Sequence, residues 1–261
     1  MNVVEGNGAR IPAIGLGTWE LRGRTCARIV EQALRLGYRH IDTAQIYDNE
    51  HEVGEGLRAS GVKRDDVFVT TRVWTTHFMA KDLERSAKES LARLRLTEVD
   101  LLLLHWPNAQ VPLAETLGAL ARVRQAGLAR HIGVSNFNCS ADRGGGGGMS
   151  RAAGVRPGRV PSLSRPGQCD RGLSTPRHGV RCLQPDREGT GQGRPRAGAD
   201  RRPLSQDRGP GQPALAGAAD VSAIPRTSKL ERLQENIDIF DFELSVDDMR
   251  EISAIGGAEA R

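Results

Sequence analysis

A repeating order of short apolar runs and helical patterns most constrains what this chain can form. Ile14 to Thr18, Val67 to Trp74, Val99 to Pro107 and His131 to Phe137 read as strands. Between them, Thr25 to Leu36 carries Ile29, Ala33, Leu34 and Leu36 near helical period, and Leu83 to Leu94 and Leu113 to Ala126 repeat the pattern. Gly37 follows the first of these helices as a C-cap glycine would. Strands alternating with helices of this length imply a parallel sheet, and right-handed crossovers make a closed barrel a natural outcome. The run Leu101 to Leu104 suits a barrel wall covered on both sides.

The stretch His40 to Glu50 sets the chemistry. Tyr38, His40 and Asp42 alternate with Arg39, Ile41 and Thr43, and a polar turn then leads into a helical pattern around His51 to Leu57. An acid, Asp42, and a phenol, Tyr47, therefore stand five residues apart at the C-terminal end of a strand, where parallel barrels keep their active sites. On spacing alone, a buried aspartate capping a loop and a tyrosine filling a pocket explain this stretch equally well. Other strands add Arg72, His105, and the small polar pair Ser135 and Asn136. A lone histidine at a strand end is more often structural than catalytic. An acid, a phenol, a cation and an imidazole at separate strand ends make a site of the kind catalysis needs.

The 261 residues suffice for one barrel with a substantial core. A net charge of +5 would ordinarily suggest nucleic acid or membrane, but the positive excess falls largely in one atypical stretch. No N-terminal charged-then-apolar segment and no apolar run of about 20 residues is present, so neither secretion nor a membrane span is expected. Of the four cysteines only Cys26 lies in ordinary sequence, and no disulfide framework or metal-ligand spacing appears. A cytoplasmic soluble enzyme is the expectation.

The motifs GLGTW (15–19), HIDTAQIYDNE (40–50), TTRVW (70–74), LLHWP (103–107), GVSNF (133–137) and IPRTSKLERLQEN (224–236) together resemble the aldo-keto reductases. These are (β/α)8 barrels that reduce carbonyls with NADPH. The bacterial 2,5-diketo-D-gluconic acid reductase type is the nearest branch. The resemblance covers residues 1–138 and 220 to about 256, and stops between them. It implies that Tyr47 is the general acid, that Asp42 supports the cation on the third strand, and that His105 orients the carbonyl oxygen. It further implies that Trp19, Trp74 and Trp106 line the substrate pocket, although each could equally be packing. Gly17, Thr18, Ser135 and Asn136 would contact the cofactor; no metal is implied. A small-molecule carbonyl substrate and a monomer are expected, with no nucleic-acid or membrane partner.

One catalytic position departs from the family's pattern. Where the family has lysine, this chain has Arg72. A guanidinium keeps the charge but is planar, bulkier and prone to lock bidentately onto Asp42. A free phenol titrates near roughly 10 and needs a nearby cation to release its proton readily. Turnover is therefore expected to suffer heavily, and cofactor binding less.

From Cys139 to Ala219 the character changes. The stretch contains arginine but no lysine, aromatic residue or isoleucine, and Gly144 to Gly148 is an unbroken glycine run. No secondary-structure period survives, which reads as disorder. The genetic code offers a different explanation. Reading each codon of Arg177 to Gly189 from its second base permits, in one-letter code, GMAFVAYSPIAK, a hydrophobic strand ending in the family's seventh-strand motif. Other parts of the stretch likewise permit family-like strings. An extra base near codon 139 and a lost base near codon 220 account for this. The chain as it stands would then lack the family's fifth helix through seventh helix, along with the glutamine and the tyrosine that hold the nicotinamide.

Val221 to Pro225 resumes as the last strand, and Arg226-Thr227-Ser228 is expected to open a helix running through Asn236. A helix N-terminus flanked by arginine suits an anion, though a solvated basic helix end explains it too. The resemblance implies that Arg226, Thr227, Ser228 and Arg232 grip the adenosine 2′-phosphate of NADPH, and that Glu235 and Asn236 face the adenine. Ser245 would cap a final helix. The fold expected is thus an α/β (β/α)8 TIM barrel, incomplete because 139–219 do not read as barrel sequence. Residues 1–138 form its N-terminal part with five strands, and 220–261 its last strand and cofactor-phosphate site. The function expected is NADPH-dependent reduction of keto-sugar acids or small aldehydes. The alternative is an inactive product of a damaged reductase gene that does not close its barrel. An arginine-rich RNA-binding insertion is a third reading, which the coding-frame argument disfavours.

Overall fold

The computed structural model describes residues 2–6, 8–137, 162–163, 181–183 and 221–238. A hairpin, β1 (Val3–Gly6) and β2 (Ala9–Pro12), precedes strand β3 (Leu16–Gly17). Units of helix and strand follow: α1 (Gly23–Leu36), β4 (His40–Asp42), α2 (Glu50–Ala59), β5 (Phe68–Val73), α3 (Ala80–Leu94), β6 (Val99–Leu104), α4 (Leu113–Gln125) and β7 (Ala129–Ser135). The expected helices and strands of residues 13–137 are thus present, within a few residues of the bounds their periodicity implies.

Helix α1 shows why these segments are helical. Cys26, Ile29, Val30, Ala33 and Leu34 recur at helical spacing and are buried. Burying a large apolar side chain contributes roughly 1.5–3 kcal/mol, which holds the helix against the sheet. Gly37 ends it in the left-handed conformation (φ 110°), and Tyr38 N–H bonds back to Ala33 O at 3.0 Å. Helix α2 then lies tight between its neighbours. A Cβ on Gly56 would fall 2.5 Å from Ala27 O and 2.7 Å from Val30 Cβ, and one on Gly54 would collide with the Leu94 carbonyl. Only glycine permits that approach.

The strands β3, β4, β5, β6, β7 and β8 (Ser162–Leu163) pair parallel in that order. A second parallel pair joins β9 (Arg181–Leu183) to β10 (Val221–Ala223). Strand β10 returns to the start of the sheet. Ile14 bridges Ala223 and Gly17 bridges Arg226, with Gly15 N–H bonded to Ala223 O at 2.8 Å. Eight parallel strands therefore follow one another among the described residues, and β8 lies beside β9. That is the (β/α)8 order.

The leucine run in β6 illustrates the two-sided wall. Leu102 and Leu104 join the main core with the helices, whereas Leu101 and Leu103 pack with Val4, Ala9, Ile11 and Ala13 of the hairpin region. Side chains alternate across a strand, so a continuous leucine run serves both cores.

Two expectations differ from the structure. Within 139–219, where the sequence shows no strand period, β8 and β9 take the places of the sixth and seventh strands. Ladder bonds use only backbone N–H and C=O groups, so short extended segments can pair with the edges of β7 and β10 without an apolar pattern. The reading of that stretch as disorder otherwise lies outside the described residues. The last helix, α5 (Leu230–Ile237), begins at Leu230 rather than at Arg226 to Ser228. Lys229 is extended and donates its N–H to Thr227 Oγ1 at 3.0 Å, a local side-chain bond that holds 226–229 outside the helix. The final helix capped by Ser245 lies outside the described residues.

Candidate active site

The first strand-end residue of the site is Asp42, which closes β4 and is buried. Arg72, on β5, faces it. Its Nη1 donates to Asp42 Oδ1 at 2.6 Å and its Nη2 to Oδ2 at 2.7 Å, while Nη1 also reaches Thr43 O at 3.0 Å. Arg72 is 1% exposed, so this is a buried, two-pronged ion pair. Burial pushes the Asp42 carboxyl up from its ordinary value, and the Arg72 charge and hydrogen bonds oppose that rise.

Tyr47 stands in a 3-10 turn, Gln45–Tyr47, directly after β4 and is buried. Its ring meets that of His105 edge-on with centroids 5.8 Å apart, and Trp74 meets His105 in the same manner at 5.3 Å. His105 follows β6 and is buried, and its Nδ1 has no hydrogen-bond partner among the described residues. Burial, then the Arg72 charge, lower its pKa to about 3. The imidazole is therefore neutral at physiological pH and carries one N–H that can be offered to an oxygen. Asn136 adopts the left-handed conformation (φ 63°) and donates to His105 O at 2.8 Å and Ser135 Oγ at 3.1 Å. It thereby ties the end of β7 to the end of β6.

A polar frame surrounds these groups. Thr18 Oγ1 donates to Asp42 O at 3.0 Å. The buried Asn49 donates to Thr18 O at 2.7 Å and Leu21 O at 3.0 Å, and accepts from Thr43 Oγ1 at 2.9 Å. Glu50 is also buried, accepting from Thr71 Oγ1 at 2.6 Å and from Arg93 Nε at 2.7 Å. Below the site, the buried His40 contacts Thr70 Oγ1 at 3.0 Å, and burial and Arg72 hold its pKa down to about 3. None of Gln45, Asn49 or Glu50 stood out in the sequence as a site residue. A recognisable signal was present nonetheless. Ser86 and Ser90 interrupt the apolar face of α3 four residues apart, and such buried hydroxyls need partners from a neighbouring loop.

The other expected residues fall into two groups. Gly17 lies where a Cβ would come within 3.1 Å of Ile224 O, and its N–H bonds to Pro225 O at 3.0 Å. Arg226 Nε donates to Trp19 O at 3.0 Å, so the last strand is fastened to the GLGTW loop. Trp19 is half-buried, and Trp106 is 49% exposed. Thr227 and Asn236 are buried, while Ser228, Arg232 and Glu235 are exposed around the start and outer face of α5. The structure thus brings Asp42, Arg72, Tyr47, His105 and Trp74 together, and sets a separate polar and cationic cluster at α5. Among the described residues no helix is long and apolar enough to cross a membrane, and no His, Cys, Asp and Glu cluster could hold a metal ion.

The pattern of the Aldo/keto reductase family matches residues 13–142. The methylglyoxal reductase DkgB of Escherichia coli O157:H7 is 48% identical over 129 residues, covering 49% of this chain and 48% of that protein. The chain thus spans about half the length of the curated relatives it matches in this way. An aldo-keto reductase of Mycolicibacterium vanbaalenii is 34% identical over 249 residues, 94% of this chain and 88% of that protein. A solved structure described as a 2,5-diketo-D-gluconic acid reductase B superposes with a TM-score of 0.80 at 33% identity, over 98% of this chain and 91% of that one.

Proposed function

The chain belongs to the aldo/keto reductase family, and on that premise we propose that it reduces aldehyde or ketone carbonyls with NADPH, slowly. Keto-sugar acids such as 2,5-diketo-D-gluconate, or small aldehydes, are the substrates in this reading. The observation that carries it is the convergence of Tyr47, His105, Trp74 and the Arg72–Asp42 pair at adjoining strand ends.

The residues present suit a phosphate-bearing cofactor. Thr227, Ser228, Lys229 and Arg232 supply hydroxyls and cations at the N-terminal end of α5, and Gly17 keeps the neighbouring loop free of a side chain. NADPH, when bound, supplies the hydride. The chain supplies orientation and a proton. Neutral His105 offers an N–H to the carbonyl oxygen, and Tyr47 donates its phenolic proton as charge develops there. Trp74 packs edge-on against His105 and steadies that imidazole.

Arg72 sets the rate. A lysine ammonium is a compact charge that can turn between a carboxylate and a phenol, whereas a guanidinium held by two bonds to Asp42 and one to Thr43 O has its orientation fixed. Support for the tyrosine proton is weakened in consequence. The same reading holds residues 139–219 to be translated from a shifted frame, which their lack of lysine and aromatic residues and the family-like hidden strings support. It takes the protein to be a monomer of the cytoplasm. The test is NADPH oxidation by the purified chain with methylglyoxal and with 2,5-diketo-D-gluconate. Sequencing the coding DNA across codons 139 and 220 accompanies it. Consumption of NADPH that depends on Tyr47 supports the reading. A chain that binds NADPH yet shows no carbonyl-dependent oxidation, even with Arg72→Lys, refutes it.

A further inference from the structure

Gln45 lies two residues before Tyr47, and its side chain reaches three residues in two other parts of the fold. Its Oε1 accepts the backbone N–H of Trp74 at 2.9 Å. Its Nε2 lies 2.6 Å from Ser86 Oγ, 2.9 Å from Ser90 Oγ and 3.1 Å from Ser86 O. The amide can face only one way. A backbone N–H is a donor only, so the oxygen must point at Trp74, and the nitrogen then meets the acceptors on α3.

The three partners matter for what Gln45 holds still. Trp74 follows β5 immediately after the strand that carries Arg72, and its ring packs on His105. Ser86 and Ser90 are buried on the face of α3 that turns to the sheet, where two hydroxyls would otherwise be costly. The turn Gln45–Tyr47 is only three residues long and ends at Asp48 in the left-handed conformation (φ 51°). Such a short turn has little packing of its own: Ile46 is 47% exposed.

We infer that Gln45 is a positioning residue for carbonyl reduction, fixing the Tyr47 turn against β5 and α3 so that phenol, imidazole and indole keep their mutual arrangement. This rests on the reading of Tyr47 as proton donor. Its geometric half does not need that reading, because a loosened turn exposes the phenol whether or not the site turns over.

The chain has two tyrosines, and the other, Tyr38, is fully buried and donates to Leu233 O at 2.9 Å. Nitration by tetranitromethane followed by peptide mapping therefore reports on Tyr47 against an internal reference. In Gln45→Leu, nitration of Tyr47 is expected to rise at least about tenfold while Tyr38 stays protected, because several hydrogen bonds that oppose local opening are gone. Methylglyoxal reduction, measured in the Arg72→Lys background, is expected to lose about 10- to 100-fold in kcat with little change in the Kd for NADPH. Gln45→Glu keeps the acceptor for Trp74 N–H and should recover part of both. Ile29→Val, on the buried face of α1, serves as a control for general destabilisation. If Gln45→Leu melts no higher than Ile29→Val but nitrates and turns over as the unmodified chain does, Gln45 is merely structural and the inference fails. If Arg72→Lys has no activity to lose, the proposed function fails, and the nitration contrast still decides the role of Gln45.

Discussion

Arg72 and Asp42 meet in a two-pronged pair, 2.6 and 2.7 Å long, with both side chains shut off from solvent. The pair is coupled to everything around it. The Arg72 charge helps depress both His40 and His105, and its third bond, to Thr43 O, fixes the backbone from which the Tyr47 turn departs. One side chain therefore sets the electrostatics of the site and part of its geometry.

Replacing Arg72 by lysine should separate those two roles. The shorter cation keeps the charge beside Asp42 but cannot fork. In the proposed reaction, kcat should rise by at least about tenfold, within the range general-acid assistance usually spans, while the Kd for NADPH stays within about twofold. Steady-state rates and fluorescence titration measure the two. Arg72→Met, by contrast, leaves Asp42 buried without a counter-ion and should cost about 3–5 kcal/mol in urea unfolding. Equal stability of the Arg72→Met and unmodified chains would contradict the ion pair described here.

Acid should unfold the protein early, through two histidines. His40 and His105 titrate near 3 in the folded chain, against an ordinary value of 6.5. Between those values the unfolded chain binds the protons and the folded chain does not. Stability is therefore full above about pH 6.5 and declines as pH falls towards 3, by up to ~1.4 kcal/mol per pH unit for each histidine. Urea midpoints at pH 7, 6, 5 and 4 measure this slope. His105→Gln should make it shallower, and an unchanged slope in that variant would remove His105 from the account.

Much of this arrangement was legible in the sequence because it depends on periodicity and on residues at strand ends. The alternation of His40 and Asp42 with Ile41 gave the inward face of β4, and the run Leu101 to Leu104 gave a wall buried on both sides. What periodicity cannot show is which polar residues of a loop turn inward. Gln45, Asn49 and Glu50 look like an ordinary solvated turn, and the fold shows that α3 and the β5 strand and its end supply partners for Gln45 and Glu50, while the loop after β3 supplies those of Asn49. The start of α5 at Leu230 departs from the sequence pattern for a related reason. Arg226 to Ser228 suit a helix N-terminus, but a hydroxyl at Thr227 captures the Lys229 N–H first. Strands β8 and β9 left no trace in the sequence, because backbone pairing asks for no side-chain pattern.

The packing of α2 gives a contrast between two glycines. A methyl group at Gly56 would press into Ala27 O and Val30, both parts of α1 that cannot swing aside. Gly56→Ala should therefore destabilise by about 1–3 kcal/mol through overpacking. Gly118 sits within α4 with nothing nearer than Arg122 Nη1 at 3.8 Å. Gly118→Ala should be neutral or stabilise by up to about 1 kcal/mol, since alanine favours the helix. Thermal melts of the two variants read the difference directly, and equal melting would sink the claim that α1 and α2 are in rigid contact.

The cluster at α5 makes a prediction about cofactor choice. NADPH and NADH differ only in the 2′-phosphate, so residues that grip that group should discriminate between them while residues elsewhere should not. Arg232 is exposed on the first turn of α5, close in sequence to Thr227, Ser228 and Lys229, and its substitution disturbs no buried packing. In the proposed binding mode, Arg232→Glu replaces an attraction to the 2′-phosphate with repulsion, and the Kd for NADPH should rise by about tenfold or more. The Kd for NADH should change less than about twofold. Raising the salt concentration should narrow the gap between the two cofactors in the unmodified chain, because an exposed cation is readily screened. Fluorescence titration with each cofactor gives the four constants needed. Equal loss of both cofactors would place Arg232 away from the phosphate and move the discriminating contact to the side of the loop held by Arg226.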